Sequence, residues 1–285
     1  MIALQASTDA QIPSAFIART AVRALFKELV LYPKPGLVSR VDSGAHADMN
    51  AATLMSSLFT LRHYFRGCAS AGASGAAFPT LQRLGLAAER RMMRATGDVN
   101  THRGAIFCLG LLAAAAGSLM QERGSFAGQA LGQRVAHCWG DAIARTTPLS
   151  RLPEAAPIER RPAIVGARRQ AIGGYHSVFS LALPVFTETL ARSGSEEAAL
   201  IQTLFTLMAT LDDTNLLRRG GKIGLAFVQS EAWQFLAVGG VFASEWRARA
   251  IALHHACIAR RLSPGGSADL LAGAWFVAAL QGHVT

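Results

Sequence analysis

The chain has 285 residues, of which 51% are apolar and 16% are charged, and its formal net charge is +10. This composition excludes a largely disordered chain and is typical of a compact protein whose inner helices are apolar nearly all round. All basic residues except Lys27, Lys34 and Lys222 are arginines, and a guanidinium binds phosphate oxygens in pairs. An anionic ligand is therefore favoured, with a merely basic surface as the alternative.

Other classes of partner have weaker support. The arginines are scattered and no basic run is interleaved with aromatic residues, which argues against a nucleic-acid partner. The cysteines are too widely spaced for a zinc site or a disulfide framework: Cys68, Cys108, Cys138 and Cys257. The N-terminus lacks the basic and apolar regions of a secretory signal, so we expect a cytoplasmic protein. The sequence leaves assembly as a homo-oligomer open.

Apolar residues recur at helical spacing through most of the chain, and no segment alternates with period two for long. The pattern predicts an all-α fold, a compact multi-helix bundle in a single catalytic domain of residues 1–285. The expected helices cover residues 16–31, 48–65, 80–95, 104–120, 126–145, 167–191, 195–217, 224–236, 244–261 and 267–280. Residues 67–79 are expected to be a connection, and residues 146–162, rich in proline, a long surface connection.

Two apolar segments, residues 105–120 and 270–280, resemble membrane spans. Each is shorter than the about 18 to 20 continuous apolar residues that a bilayer requires. We therefore expect buried core helices and no membrane partner.

Polar, glycine-rich clusters interrupt the helical pattern, and the first spans residues 33–49. Lys34 is expected to reach a phosphate, and Gly36 to let the backbone approach a ligand. His46 and Asp48 lie two residues apart and are candidates for a proton carrier and for a metal ligand or base. A capping Asp48 with a structural His46 is the alternative.

The second cluster immediately precedes a long apolar helix. Its members are Asn100, Thr101, His102 and Arg103, and the following helix is too apolar to solvate them along its length. They are therefore expected at the rim of the bundle, with Arg103 suited to phosphate and Thr101 alternatively an ordinary N-cap.

The third cluster joins paired carboxylates to basic residues. Asp212 and Asp213 follow an apolar helical run. Paired carboxylates beside three basic residues are costly unless a metal or an anion shares the site. Magnesium, which prefers hard oxygen ligands, is the natural candidate. The neighbouring candidates for phosphate binding are Asn215, Arg218, Arg219, Gly220, Gly221 and Lys222. A salt-bridged helix C-cap is the alternative.

The fourth cluster begins the last helix. Its candidate phosphate-binding residues are Ser263, Gly265, Gly266 and Ser267. Asp269 follows as a candidate for metal or a sugar hydroxyl, with a simple capping turn as the alternative. Glu28 and Glu89 are reserve ligands. Because helix N-termini carry free N–H groups, we expect the clusters to form one polyanion site.

Taken in order, the clusters resemble the triphosphoribosyl-dephospho-CoA synthase family. The resemblance runs nearly end to end and rests on four motifs: Pro33-Lys-Pro-Gly-Leu-Val38 with Gly44-Ala-His-Ala-Asp-Met49, Val99-Asn-Thr-His-Arg-Gly-Ala-Ile106, Asp213-Thr-Asn-Leu-Leu-Arg-Arg-Gly-Gly221, and Leu262-Ser-Pro-Gly-Gly-Ser-Ala-Asp-Leu-Leu271. Together these motifs are specific, whereas any one alone is weak.

The resemblance implies an all-helical enzyme acting on ATP and 3′-dephospho-CoA. The 2′-hydroxyl of dephospho-CoA would attack the ribose C1′ of ATP, and adenine would leave. The product would serve as prosthetic-group precursor for malonate decarboxylase or citrate lyase.

Such a transfer brings two polyanions together and builds positive charge at C1′, which explains adjacent carboxylates and guanidinium groups. On this reading Mg²⁺ lies on Asp48 and Asp213, with Asp212 and Asp269 as further ligands. His46 or His102 would assist the attacking hydroxyl or the departing base.

The chain departs from the family pattern at Asp98 and in the segments Arg168-Arg169-Gln170 and Gly174-Tyr175, where the family often has an arginine followed by Gly-Glu and later Gly-Phe. Asp98 stands where the family tends to have glycine, and Gln170 where it often has glutamate, which removes one candidate base or ligand.

Different functions remain open on the residues alone. They are an ATP-dependent phosphotransferase, an ADP-ribosyl-type hydrolase, and a non-catalytic nucleotide- or CoA-binding protein. Product analysis separates them, since only the transfer releases adenine while the acceptor keeps the triphosphate.

Overall fold

A computed structural model of the chain describes residues 2–122, 124–146 and 161–284. These residues form helices without any strand, as the sequence predicts. The α-helices are α1 (Ile2–Val30), α2 (Ala51–Thr60), α3 (Arg62–Ala73), α4 (Phe78–Thr96), α5 (Arg103–Gln121), α6 (Ala130–Arg145), α7 (Arg161–Ile172), α8 (Leu183–Ser193), α9 (Glu196–Thr210), α10 (Thr214–Ala237), α11 (Trp246–Ala259) and α12 (Gly265–Leu280). A π-helical segment, Ser177–Ala182, leads directly into α8.

Helices α5 and α12 form the centre of the bundle. Helix α5 packs against α1, α3, α6 and α12, and α12 packs also against α1 and α9. By length and composition α5 passes as a membrane span, but 78% of its apolar stretch is buried inside the protein. Both are therefore core helices of this fold. Their N-termini lie at the end of the bundle where residues of the polar clusters meet.

The segment at residues 67–79 was expected to be a connection, and this prediction was wrong for its first half. Helix α3 continues to Ala73. A Cβ atom on Gly72 would lie 1.8 Å from the carbonyl oxygen of Ala114 on α5, and one on Gly117 would lie 1.9 Å from that of Ala69. The small residues that resemble a loop in the sequence thus let two helices touch backbone to backbone.

Three expected helices are each interrupted. Residues 48–65 are divided at Leu61, which separates α2 from α3. Residues 167–191 are divided after Ile172, where Gly174 and Tyr175 both take positive φ angles, of 65° and 56°. Residues 195–217 are divided after Thr210, and α10 then begins directly behind Asp213. Of the expected connection at residues 146–162, residues 147–160 lie outside the described ranges, whereas 161 and 162 belong to α7.

Candidate active site

A cavity of about 450 Å³ lies where the N-termini of α5, α10 and α12 meet the loop between α1 and α2. Its lining consists of Leu25, Glu28, Leu37, Val38, His46, Asp48, Met49, Leu54, Asn100, Thr101, His102, Arg103, Gly104, Asn215, Arg218, Arg219, Ser263, Gly265, Ala268, Asp269 and Ala272. Helix N-termini carry unpaired N–H groups and a partial positive charge. Their convergence favours an anionic ligand.

The loop between α1 and α2 is held in place by a histidine on α11. His254 is fully buried, with Nδ1 2.6 Å from the carbonyl oxygen of Lys34 and Nε2 3.0 Å from Oδ2 of Asp42. The same Asp42 carboxylate accepts a bond from the N–H of Gly44. The role of His254 could not be predicted from the sequence, because its partners are more than 200 positions away in the chain.

Lys34 does not line the cavity. Its side chain is fully buried, and Nζ lies 2.6 Å from both the carbonyl oxygen and Oε1 of Glu28. Burial lowers the pKa of Lys34, and the Glu28 carboxylate opposes that shift. Glu28 itself lines the cavity, so Lys34 acts on the site through this carboxylate and is not placed to contact a phosphate directly.

His46 forms a bridge between two other parts of the site. Arg219 donates from Nη2 to His46 Nδ1 at 3.0 Å, and His46 Nε2 lies 3.0 Å from Oγ of Ser263. A guanidinium has no acceptor, so the bond from Arg219 requires an unprotonated Nδ1, whereas the Asp48 carboxylate, with Oδ1 3.5 Å from Nδ1, favours a proton on that nitrogen. Burial and the Arg219 charge lower the pKa of His46. Both ring nitrogens are engaged, which does not favour the predicted proton carrier.

Asp48 and Arg218 lie at the more open side of the cavity. The Asp48 side chain is 62% exposed. It does not cap α2, because Asn50 accepts the capping bond from the N–H of Thr53. Arg218 is exposed, and no hydrogen bond or ion pair joins it to any residue that the structure describes. Arg219, by contrast, also donates to the carbonyl oxygens of Ala45 and Arg261. Arg218 therefore keeps all of its guanidinium donors for a ligand, among the residues that the structure describes.

His102 lies at the N-terminus of α5 and is buried against α2. Its Nδ1 is 2.6 Å from Oγ of Ser57, which in turn accepts a bond from Oγ1 of Thr101 at 2.7 Å. Thr101 is therefore not the N-cap of α5. Burial, together with the nearby Lys34 charge, lowers the pKa of His102 to about 4, so the ring is neutral near pH 7.

Arg103 and Asn100 stabilise the start of the same helix. The Arg103 N–H donates to Oδ1 of Asn100 at 3.3 Å. The Arg103 guanidinium, 57% exposed, forms an ion pair with Glu89 at 3.2 Å. Both residues line the cavity, whereas Glu89, a reserve ligand in the sequence analysis, does not.

Asp269 projects from the first turn of α12 toward the N-terminus of α5. A Cβ atom on Gly104 would lie 1.9 Å from Oδ2 of Asp269, so only glycine at this position admits the carboxylate. Burial and the nearby Glu28 and Asp213 charges raise the pKa of Asp269 well above its usual range, against a hydrogen bond from the backbone of Ala105. This carboxyl group therefore binds a proton more tightly than an ordinary aspartate does.

Asp213 caps two helices at once. Its Oδ1 accepts from the N–H groups of Asn215 and Leu216 at the start of α10, at 2.9 and 3.4 Å. Its Oδ2 accepts from the N–H and Oγ of Ser267 on α12, at 2.8 and 3.0 Å. The side chain is 1% exposed and does not line the cavity. Asp213 is therefore an N-cap shared by two helices. Its contacts correspond neither to the predicted metal ligand nor to the alternative, a salt-bridged helix C-cap.

Several other predicted site residues also lie outside the cavity lining: Gly36, Asp212, Gly220, Gly221, Lys222, Gly266 and Ser267. Two of these glycines accommodate protein instead of ligand. A Cβ atom on Gly36 would lie 2.0 Å from the carbonyl oxygen of Leu262, and one on Gly220 would lie 2.5 Å from Cδ2 of the same leucine. Gly221, with φ 59° and ψ −160°, bends α10.

Local geometry explains two of the departures from the expected family motifs, at Asp98 and at Gln170. Asp98 has a φ of 65°, a conformation that favours glycine but that aspartate tolerates better than most residues. Gln170 donates from Nε2 to Oγ of Ser177 at 2.7 Å and does not line the cavity. Neither substitution alters the cavity wall.

The carboxylates on the cavity wall are Glu28, Asp48 and Asp269. No group of three or more potential ligand side chains gathers closely enough to hold a metal by itself within the described ranges. Mg²⁺ commonly binds through one or two carboxylates, with water and substrate phosphates completing its shell. The exposed carboxylate of Asp48, which lines the same cavity as Arg218, fits that manner of binding.

Comparisons with known proteins agree on one family. The sequence profile of the family described as CitG, ATP:dephospho-CoA triphosphoribosyl transferase, matches residues 14–285. A 2-(5''-triphosphoribosyl)-3'-dephosphocoenzyme-A synthase of Klebsiella pneumoniae is 42% identical over 266 residues, covering 90% of this chain and 88% of the relative. Proteins named as probable synthases of the same kind match from Vibrio cholerae, 38% identical over 92% and 87% of the two chains, and from Acinetobacter calcoaceticus, 34% identical over 90% and 86%.

No solved structure matches the chain significantly. The family profile spans the cavity and the helices that form it, and the relatives cover most of both chains. The chain belongs to the ATP:dephospho-CoA triphosphoribosyl transferase family.

Proposed function

We propose that the chain transfers the triphosphoribosyl group of ATP to the 2′-hydroxyl of 3′-dephospho-CoA and releases adenine. In this reaction the acceptor oxygen bonds to C1′ of the ATP ribose as the C1′–N9 bond breaks. The electron pair of that bond stays on adenine, and the hydroxyl proton passes to a base. The observation that carries the proposal is the cavity itself, in which helix N-termini and a free guanidinium face a carboxyl group.

The phosphates are assigned to the side of the cavity that carries Arg218. This residue is exposed there without a partner in the described chain, and the N-terminal turns of α10 and α12 begin beside it with Asn215 and Gly265. A Cβ atom on Gly265 would lie 2.8 Å from Nδ2 of Asn215, so these two turns are in contact. Convergent N–H dipoles and a guanidinium offset the charge of a triphosphate.

Asp269 is assigned to the reacting carbon and the attacking hydroxyl. It is the cavity carboxyl group that is neither exposed, as Asp48 is, nor paired with a lysine, as Glu28 is. Its raised pKa suits a proton acceptor for a hydroxyl, and its ionised form would stabilise positive charge at C1′. The helix that carries it is central and fixed by packing, which holds the carboxyl group in place.

Magnesium is proposed to enter with ATP and to bind at Asp48. When bound it would neutralise part of the triphosphate charge. Asp48 would orient the metal–phosphate unit at the rim, and Arg218 would hold the outer phosphates. The proposed product would be the prosthetic-group precursor of malonate decarboxylase or citrate lyase.

Product analysis tests the proposal. The protein is incubated with ATP, Mg²⁺ and 3′-dephospho-CoA, and all products are identified by mass spectrometry. We expect adenine and a dephospho-CoA adduct carrying ribose and three phosphates, in equal amounts. ADP would indicate a phosphotransferase, free ribose triphosphate a hydrolase, and unchanged ATP a non-catalytic binding protein.

A further inference from the structure

His102 has one ring nitrogen that no group of the protein satisfies. The residue is 4% exposed, and its Nε2 is a buried polar atom without a hydrogen-bond partner among the described residues. A buried donor or acceptor left unpaired costs about 1 to 3 kcal/mol. Because His102 lines the cavity, a bound ligand can complete this missing bond.

The other ring nitrogen determines what Nε2 offers. Thr101 donates its hydroxyl hydrogen to Oγ of Ser57, so the Ser57 hydrogen is directed to Nδ1 of His102. Nδ1 is then an acceptor and the ring proton lies on Nε2. The buried Lys34 ammonium disfavours a second proton on the ring. His102 therefore presents a neutral N–H donor to the cavity.

The surroundings of this donor suit a heterocyclic base better than a phosphate. Ser57 and Leu54 lie one helical turn apart on α2, and Leu54 lines the cavity together with Leu25 and Leu37. Apolar walls with a few placed polar groups are typical of sites for small, flat ligands. Arg103, the neighbour of His102, is paired with Glu89, and Arg218, which is assigned to the phosphates, lies on a different helix, α10.

We propose that His102 donates its Nε2–H to a ring nitrogen of the adenine leaving group, an inference that rests on the proposed function. The relevant nitrogens are N3 and N7, each one carbon removed from N9. As the C1′–N9 bond breaks, its electron pair moves onto adenine, and a donor at N3 or N7 stabilises that negative charge. His102 transfers no proton in this step; adenine takes its proton from water after departure. A neutral imidazole donor is suited to stabilise charge that develops in the transition state.

The test combines a substitution at His102 with altered bases. The rate of base release is measured for wild type and His102→Ala with ATP, 7-deaza-ATP and 3-deaza-ATP. With ATP we expect a loss of about 10²-fold, the size seen when one transition-state donor is removed. With the analogue that lacks the contacted nitrogen, the two proteins should differ by less than about threefold. Because the ratios for ATP and for the analogue compare the same two protein preparations, the fraction of active enzyme cancels when one ratio is divided by the other.

His102→Gln is the matched control, since a glutamine amide can place an N–H near the position of Nε2. It should retain more activity with ATP than His102→Ala does. Ser57→Ala removes the group that fixes the tautomer and should weaken the discrimination between ATP and the deaza analogue. Equal losses for His102→Ala with all three nucleotides would overturn the inference while leaving the proposed function intact. Wild type that releases no adenine from ATP would remove both.

Discussion

Replacing Asp213 with asparagine separates a structural role of this carboxylate from a catalytic one. In the folded protein both carboxylate oxygens are engaged, one by the first turn of α10 and the other by Ser267 on α12. Asparagine has nearly the same size but only one oxygen. Its amide group must therefore turn an N–H toward donors at one of the two helices, which leaves those donors buried and unpaired.

The expected cost follows from these contacts. Loss of a side-chain N-cap costs about 1 kcal/mol, and each buried donor left without a partner costs about 1 to 3 kcal/mol. Burial already raises the pKa of Asp213 in spite of its hydrogen bonds, so the carboxylate has a desolvation cost that asparagine avoids. We expect Asp213→Asn to lower the free energy of unfolding by about 2 to 3 kcal/mol, and Asp213→Ala by more.

Urea unfolding, monitored by circular dichroism, measures this decrease in the free energy of unfolding. Adenine release is assayed in parallel. Asp212→Asn is the matched control, because Asp212 is the preceding residue in the chain and its side chain is exposed and does not line the cavity. It should change stability by less than about 0.5 kcal/mol. An Asp213→Asn protein with unchanged stability, strongly reduced turnover and an altered Mg²⁺ requirement would refute the structural role and restore the metal-ligand prediction.

Three further predictions have defined outcomes. Gly104→Ala places a methyl group against the Asp269 carboxylate, so adenine release should fall by about 10²-fold or more in a steady-state assay, and unchanged turnover would contradict the close contact. Arg218→Ala should raise the KM for ATP with unchanged urea stability, whereas Arg219→Ala should lower stability as well, since that side chain anchors the loop between α1 and α2; identical effects would contradict this division. Burial lowers the pKa of His102 to about 4, below the value of about 6.5 that a histidine has in the unfolded chain. As the pH drops from about 6.5 to about 4, the unfolded chain therefore binds a proton first, and the free energy of unfolding falls by up to about 3 kcal/mol. His102→Gln should flatten that part of the stability–pH curve, and an unchanged curve would contradict a buried neutral ring.

The helices and the cavity-forming clusters could largely be predicted from sequence because both depend on local patterns. Apolar periodicity placed α5 and α12, and polar clusters before helices marked the N-termini that meet at the cavity. Glycine was the main source of error. At Gly72 it serves helix contact, and at Gly36 it accommodates Leu262, whereas the sequence suggested a loop at the first and a ligand contact at the second.

Individual roles could not be predicted because they depend on contacts distant in the chain. Nothing near Asp213 in sequence indicates that Ser267 uses its second oxygen, and nothing near His254 indicates its contact with Asp42. Lys34 likewise looks available for phosphate until Glu28 is placed beside it. Residue type and local spacing identified the segments that form the cavity. Contacts with distant parts of the chain determine which of their polar groups line it.

Single-turnover adenine release by Asp269→Asn tests most directly whether chemistry takes place at the meeting point of α5, α10 and α12. Asp141→Asn, an exposed aspartate on α6, is the matched control and should behave as wild type. We expect Asp269→Asn to slow adenine release by about 10²- to 10⁴-fold, the usual contribution of a general base, with the Kd for ATP changed little. Adenine release at the wild-type rate by folded Asp269→Asn would contradict the assignment of this cavity as the active site.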